Sequence, residues 1–232
     1  MNVFSRFIGI ITSPKATFEN VAAHPRWFGM LALACGVAAL VVGGYLMTTV
    51  GQDAWIDAAL AGSWGGGGSA NREQQIATLE RIAPYAGYIA IGQMLIFLPL
   101  MYLIVSGILF AVFNAAMGGN ATFKQLFSVV VHTAPIGVLG QLFTIPLNYS
   151  QATLSSKTNV LVLLPVVDEN SFIGRFLAAI DVFVIWQIVV LAIGLAVLYR
   201  RRTQPIATGL FIAYGIIALL IAFVMSSFGG SN

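Results

Sequence analysis

Charged residues are scarce in this chain of 232 residues, because Asp, Glu, Lys and Arg together make up only 8% of it. Soluble domains contain about 25% charged residues. With 59% hydrophobic residues and a mean hydropathy of +0.91, the chain has too few polar side chains to cover a surface that faces water. The composition therefore excludes a soluble enzyme, a nucleic-acid-binding protein and a disordered scaffold. It indicates an integral membrane protein.

Residues that carry catalysis or bind metals are also few. Cys35 is the only cysteine, which excludes an internal disulfide, and His24 and His132 are the only histidines. The sequence contains no HExxH pair, no intramembrane aspartate pair and no phosphate-binding glycine loop. It therefore predicts no catalytic residues, no metal site and no cofactor.

Long apolar segments are the main positive feature of the sequence. A helix needs about 20 mostly apolar residues to cross the bilayer core, and a helix satisfies its backbone hydrogen bonds within one segment. These segments predict an all-α bundle of five transmembrane helices over residues 28–228. The predicted spans are 28–50, 86–117, 127–147, 176–199 and 206–228.

Basic residues predict the orientation of these spans. Seven basic residues and one acid fall on the side of the N-terminus, whereas four basic residues and six acids fall on the other side. Because short cytoplasmic loops are rich in Lys and Arg, we expect the N-terminus in the cytoplasm. Arg200, Arg201 and Arg202 form the strongest topology anchor.

Residues 1–27 are predicted to form a cytoplasmic amphipathic segment at the membrane interface. A short helix over residues 3–11 would place its apolar side chains on one face and Arg6 largely on the opposite face. The apolar set comprises Val3, Phe4, Phe7, Ile8 and Ile11. Ser13 and Pro14 would then begin a second short helix that ends before Pro25. A frayed apolar tail is the alternative for the first of these helices.

The connection over residues 51–85 is predicted to be an external, glycine-rich loop. Its run Trp64-Gly-Gly-Gly-Gly-Ser69 is typical of flexible linkers, so we expect it to be poorly ordered. Residues 71–82 are expected to form one or two helical turns.

Asp181 is the one acidic residue inside a predicted span. An ionisable group there is costly and marks a functional site by default. We expect a shallow position near the external edge, within an intramembrane polar cluster. The cluster comprises Asp181, Gln93, Gln141, Thr144 and Gln187. It is interpreted first as a structural clamp, with a ligand pocket or a proton or ion relay as alternatives.

Two further features concern contacts between helices. His132 and Asn114 are predicted at the same depth near the inner edge, where we expect a hydrogen bond between them. Small residues at four-residue spacing, including Ala39 with Gly43 and the series that begins at Gly107, let helices approach closely. The prolines within the second and third spans are expected to bend those helices.

Three segments resemble the Yip family of five-span membrane proteins. They are SPKATFENVAAHP (13–25), GGNATFKQLFSVVVHTAPIGVLG (118–140) and FLAAIDVFVIWQIVVLAIGLA (176–196). Gly118, Gly119, Pro135, Trp186 and Gly194 correspond to landmarks of the family, and no catalytic residue carries over.

The resemblance implies a role in membrane organisation. Eukaryotic members interact with Ypt/Rab GTPases through an extended cytosolic region, whereas about 27 residues precede the first span here. A Rab-type partner is therefore not expected, and the short form resembles the bacterial members, which implies the inner membrane.

The sequence supports a non-enzymatic scaffold or membrane-organising protein that binds lipid or a partner protein, which can be another membrane protein or a second copy of itself. One alternative is a transporter or channel for a small solute or ion, with a polar cavity around Asp181. An intramembrane or lipid-modifying enzyme is the other.

Overall fold

The structure, a computed structural model, describes residues 1–62, 69–155, 158–164, 166–168 and 171–228. The glycine-rich run that is predicted to be poorly ordered lies mostly outside these residues. By contacts the chain divides into two compact units. The first unit comprises Met1–Ala38, Gln93–Gly140 and Phe183–Ala213, and the second comprises Ala39–Gly92, Gln141–Val182 and Tyr214–Asn232.

Five helical segments of the described residues are long and apolar enough to span a membrane, which confirms the predicted architecture. These segments are Phe28–Leu46, Arg72–Ala116, Phe123–Gln151, Val182–Tyr199 and Thr203–Ser226. The described residues contain α-helices, short 3₁₀ and π-helical turns and no strand beyond an isolated bridge.

The N-terminal segment forms the two short helices that the sequence predicts, α1 (Val3–Thr12) and α2 (Pro14–Ala23). The side chain of Asn2 caps α1 by accepting a hydrogen bond from the backbone N–H of Ser5 (2.7 Å). Arg6 is only 3% exposed whereas Phe4 is 69% exposed, so α1 turns Arg6 toward the rest of the chain and leaves Phe4 on the surface.

The first span is α3 (Phe28–Leu46), and the connection that follows it is mostly helical. It consists of α4 (Thr49–Gly62), α5 (Ser69–Ile82) and a 3₁₀ turn (Ala83–Tyr85). The structure therefore has more helix here than the one or two turns predicted for this loop. The second span is α6 (Ala86–Phe110), which ends in a π-helical turn over Ala111–Ala116.

The third span is interrupted between α7 (Phe123–Val131) and α8 (Ala134–Gln151). Pro135 contributes to the interruption, because it has no N–H to donate to the carbonyl four residues earlier. Helices α6 and α8 continue through Pro99 and Pro146.

The fourth span begins later than predicted. The chain forms a 3₁₀ turn (Val160–Leu163) and the short helix α9 (Phe172–Ala179), and then breaks at Ile180 and Asp181. Helix α10 (Val182–Tyr199) is the span itself, and α11 (Thr203–Phe228) is the last helix. Asp181 therefore precedes the spanning helix instead of lying inside it.

Candidate functional site

Asp181 is held by the chain segment that precedes α9. The backbone N–H of Val160 donates to the carbonyl of Ile180 (2.9 Å), and the N–H of Val182 donates to the carbonyl of Thr158 (3.1 Å). The Thr158 hydroxyl donates to the Asp181 carboxylate. Asp181 directly precedes the first residue of α10, where the helix dipole favours a negative charge.

Helix α11 reaches the same position. The hydroxyl of Tyr214 donates to the carbonyl of Ala179, and its side chain lies beside Asp181. Three separate chain segments therefore meet at the break between α9 and α10. This arrangement can fix the entry of α10.

The other residues of the predicted polar cluster are divided between the two units. Gln141 and Thr144 are half-buried in the second unit, and the buried Oε1 of Gln141 has no hydrogen-bond partner among the described residues. Gln93 and Gln187 belong to the first unit, where Gln93 is exposed. Gln187 donates to the hydroxyl of Thr133 (3.1 Å) at the break between α7 and α8.

A cavity of about 220 Å³ lies beside Gln187 in the first unit. Tyr102, Thr133 and Gln187 supply its polar groups, and the remaining lining side chains are apolar. The side chains of Tyr102 and Gln187 also form a hydrogen bond. The cavity can thus accommodate a small, mainly apolar group with a polar end.

His132 and Asn114 have separate partners in the described residues. The Asn114 amide donates to the carbonyl of Ala121 (2.6 Å) and accepts from the hydroxyl of Tyr199 (2.7 Å). His132 is fully buried, its Nδ1 lies 2.6 Å from the carbonyl oxygen of Ser128, and its Nε2 is without a partner among these residues. The hydrogen bond predicted between the two side chains is not among those described.

Arg6 forms a second buried polar group at the N-terminus. Its Nε and Nη2 both donate to Oδ1 of Asn20 (3.2 and 2.9 Å), and Nη2 also donates to the carbonyl of His24 (3.0 Å). These bonds tie α1 to α2 and explain why a charged side chain is buried. Burial, together with the nearby charge of Arg26, lowers the pKa of Arg6 below its usual value.

The glycine landmarks lie where the backbone needs them. Gly118 has a φ of +68°, which favours glycine. A Cβ on Gly119 would come within 2.7 Å of the carbonyl oxygen of Phe113, and one on Gly194 within 2.6 Å of Val129 Cγ1. These two positions therefore require a residue without a side chain.

The other landmarks have structural surroundings too. Pro135 lies in the first turn of α8, and Trp186 stacks on Phe183 with ring centroids 6.4 Å apart. In the arginine turn, Arg200 has a φ of +52° and Arg201 donates to the carbonyl of Met117 (3.0 Å). Arg202, like the other two arginines, is exposed.

The chain is similar to known proteins over the region that contains these landmarks. The family model of the Yip1 domain matches residues 8–226. The chain belongs to the Yip1 domain family. This confirms the resemblance seen in the sequence. The Yip1-domain chain is also 28% identical to "Membrane protein YknW" of Bacillus subtilis (strain 168) over 194 residues, which are 81% of this chain and 75% of that protein. No solved structure matches this chain.

Sequence reasoning missed several partners in this Yip1-domain protein. Thr158 lies 23 residues before Asp181, and Thr133 lies 54 residues before Gln187. Threonines are common in loops and helix ends, so no pattern in the sequence distinguishes these two. The burial of Arg6 left only a weak signal in the sequence. Arg6 and Asn20 lie on two short helices that are joined by a single residue, Ser13.

Proposed function

We propose that this multi-pass membrane protein is a non-enzymatic scaffold or membrane-organising protein of the bacterial inner membrane. The observation that carries the proposal is the use of its polar side chains as links between separate chain segments. Gln187 is bonded to Thr133, Tyr199 is bonded to Asn114, and Asp181 accepts a bond from Thr158. Polar groups paired in this way stabilise a helical bundle.

Two spans offer apolar surfaces for lipid or for another membrane protein. Only 11% of the most hydrophobic part of the second span is buried, and 17% of that of the last span, against 72% for the third. The highly exposed aliphatic and phenyl side chains there include Ile96, Phe97 and Ile108 on α6 and Ile212, Leu220 and Phe223 on α11. We place partner binding, including binding of a second copy, on these two helices.

Substitution of Asp181 tests the proposal directly. Asn keeps an oxygen that can accept from Thr158 but loses the charge. Since hydrogen bonds to a charged group contribute about 1.5–3 kcal/mol and neutral ones about 1 kcal/mol, Asp181→Asn should lower the free energy of unfolding by about 1 kcal/mol, as measured by SDS titration of the purified protein. The same change at Asp57, which is exposed on α4, is the matched control and should have little effect. Liposomes that contain either variant or the wild type should show the same permeability to protons, common ions and small solutes.

Cross-linking tests the surface assignment. A photoreactive residue at Ile104 on α6 or at Ile217 on α11 should yield discrete protein adducts in cells, since both side chains are about half exposed. The control position is Gln74, which is exposed on α5 outside the apolar part of that span. Labelling of lipid alone at both positions would contradict protein binding there.

A transporter or channel is the second candidate, and the cavity beside Gln187 favours it. Its volume of about 220 Å³ exceeds that of a single water molecule. The liposome assay separates the two candidates. A solute flux in the wild type that Asp181→Asn or Gln187→Leu abolishes would replace the scaffold with a transporter.

A further inference from the structure

Arg6 is a buried cation whose donors are not all used. A guanidinium group carries five N–H donors, and the bonds to Asn20 and His24 come from Nε and Nη2. Nη1 therefore has two N–H groups without an acceptor in the described part of the chain. Both partners of Arg6 are neutral, so its positive charge has no bonded counter-ion there.

Arg26 brings a second cation to the same place. Its backbone N–H donates to the carbonyl oxygen of His24 (2.9 Å), and this oxygen also accepts the Nη2 bond of Arg6 (3.0 Å). The side chain of Arg26 is exposed. Residues 1–27 contain three basic side chains and one acid, Glu19, which is exposed on α2. The charges of Arg6 and Arg26 lie close enough to interact, so the two residues form a site of net positive charge.

The site lies next to the start of a spanning helix, where lipid headgroups are expected. Arg26 lies two residues before Phe28, the first residue of the spanning helix α3. On α1, Phe4 is 69% exposed and Ile8 is 59% exposed, and large apolar side chains at such a position insert at the headgroup boundary. We expect a phosphate at this depth to come within reach of both arginines.

We propose that Arg6 and Arg26 bind the phosphate group of an anionic phospholipid in the leaflet that α1 contacts. The planar guanidinium matches phosphate oxygens with paired donors. The phosphate would accept from Nη1 of Arg6 and from the guanidinium of Arg26. This inference deepens the proposed function, and rests on it, by naming a lipid ligand for a membrane-organising protein.

Native mass spectrometry of the full chain in detergent tests the site, with phosphatidylglycerol as the probe. Removal of one cation beside anionic lipid corresponds to about a fivefold loss of affinity, and we expect this loss for Arg26→Gln. Arg202→Gln removes the same charge from another exposed position and should bind the lipid as the wild type does. Arg6→Lys keeps the charge but loses the paired donors, so it should also bind more weakly.

The folding of each variant is checked by its melting temperature without lipid. Arg26→Gln should melt as the wild type does, because the described residues give its side chain no hydrogen bond. Phosphatidylcholine and inorganic phosphate serve as competitors, and we expect neither to displace phosphatidylglycerol.

Three results would overturn the site. They are unchanged binding by Arg26→Gln, equal losses in Arg26→Gln and Arg202→Gln, and displacement of the lipid by inorganic phosphate. Cross-linking from α6 and α11 would be unaffected by any of them, so the scaffold proposal and the lipid site can fail separately.

Discussion

The main core of the first unit consists largely of Leu, Ile, Val and Phe side chains around Phe18. In the second unit, by contrast, three of the five buried residues in the core around Tyr45 are alanines. The second unit also brings two glycines together, because a Cβ on Gly87 would lie 2.8 Å from the carbonyl oxygen of Gly43. Side-chain volume therefore dominates the core around Phe18, and close backbone approach is prominent beside the core around Tyr45. The core around Phe18 should be most sensitive to loss of volume, and the contact of Gly43 with Gly87 to gain of volume.

Loss of volume in the first unit should have the largest effect. Phe18 is fully buried, and truncation of a buried Phe to Ala costs about 3–5 kcal/mol. Phe18→Ala should lower the free energy of unfolding in an SDS titration by this amount. Phe4→Ala, on a side chain that is 69% exposed, is the matched control. If both variants lose equally little, volume does not hold the first unit together.

Gain of volume should destabilise the second unit. A Cβ on Gly87 would meet Met47 Cγ at 2.5 Å as well as the carbonyl oxygen of Gly43, and overpacking of this kind costs about 1–3 kcal/mol. Gly87→Ala should therefore unfold at a lower SDS concentration. Gly92→Ala on the same helix has nothing within 4 Å and should be neutral or slightly stabilising. Equal behaviour of the two variants would show that α3 and α6 do not cross at Gly87.

The sequence predicts the spans well because hydrophobic length is a local property. It does not distinguish a side chain that faces lipid from one that faces the core, since both are apolar. On α1, for example, the apolar Phe4 and Ile8 are exposed whereas the charged Arg6 is buried. The spacing of small residues also does not show which of them lie where two helices touch. Gly43 contacts Gly87, whereas a Cβ on Gly107 would meet nothing within 4 Å.

The candidate site could be predicted only in part. Asp181 is conspicuous as an acid in an apolar sequence, but the break before Val182 and the bond from Thr158 depend on the path of the connection between α8 and α9. Contacts of this kind join residues that are distant in sequence, and their partners are ordinary polar residues. Composition and periodicity carry no information about them.

The hydroxyl of Tyr45 should contribute a smaller amount to the second unit than the packing at Gly87 does. It donates to the carbonyl oxygens of Asn148 (3.3 Å) and Thr153 (3.0 Å). Tyr45→Phe leaves both oxygens without this donor, and a loss of about 1–1.5 kcal/mol is expected. The control Tyr149→Phe removes a hydroxyl without a described hydrogen bond from the ring that packs on Tyr45 at 6.3 Å. A loss as large for Tyr149→Phe would show that the effect does not depend on the hydrogen bonds of the Tyr45 hydroxyl.

The cap of α7 should have the smallest effect, because it lies at the exposed edge of the first unit. The Thr122 hydroxyl accepts from the backbone N–H of Gln125 (3.3 Å), and the Gln125 side chain accepts from the backbone N–H of Thr122 (2.9 Å). Loss of such a cap costs about 1 kcal/mol, so Thr122→Ala should lower the free energy of unfolding by that amount, whereas Thr122→Ser keeps the hydroxyl and should preserve it. A loss comparable to that of Phe18→Ala would mean that α7 depends on its cap as much as on side-chain volume, and the contrast between the two units would then be too simple.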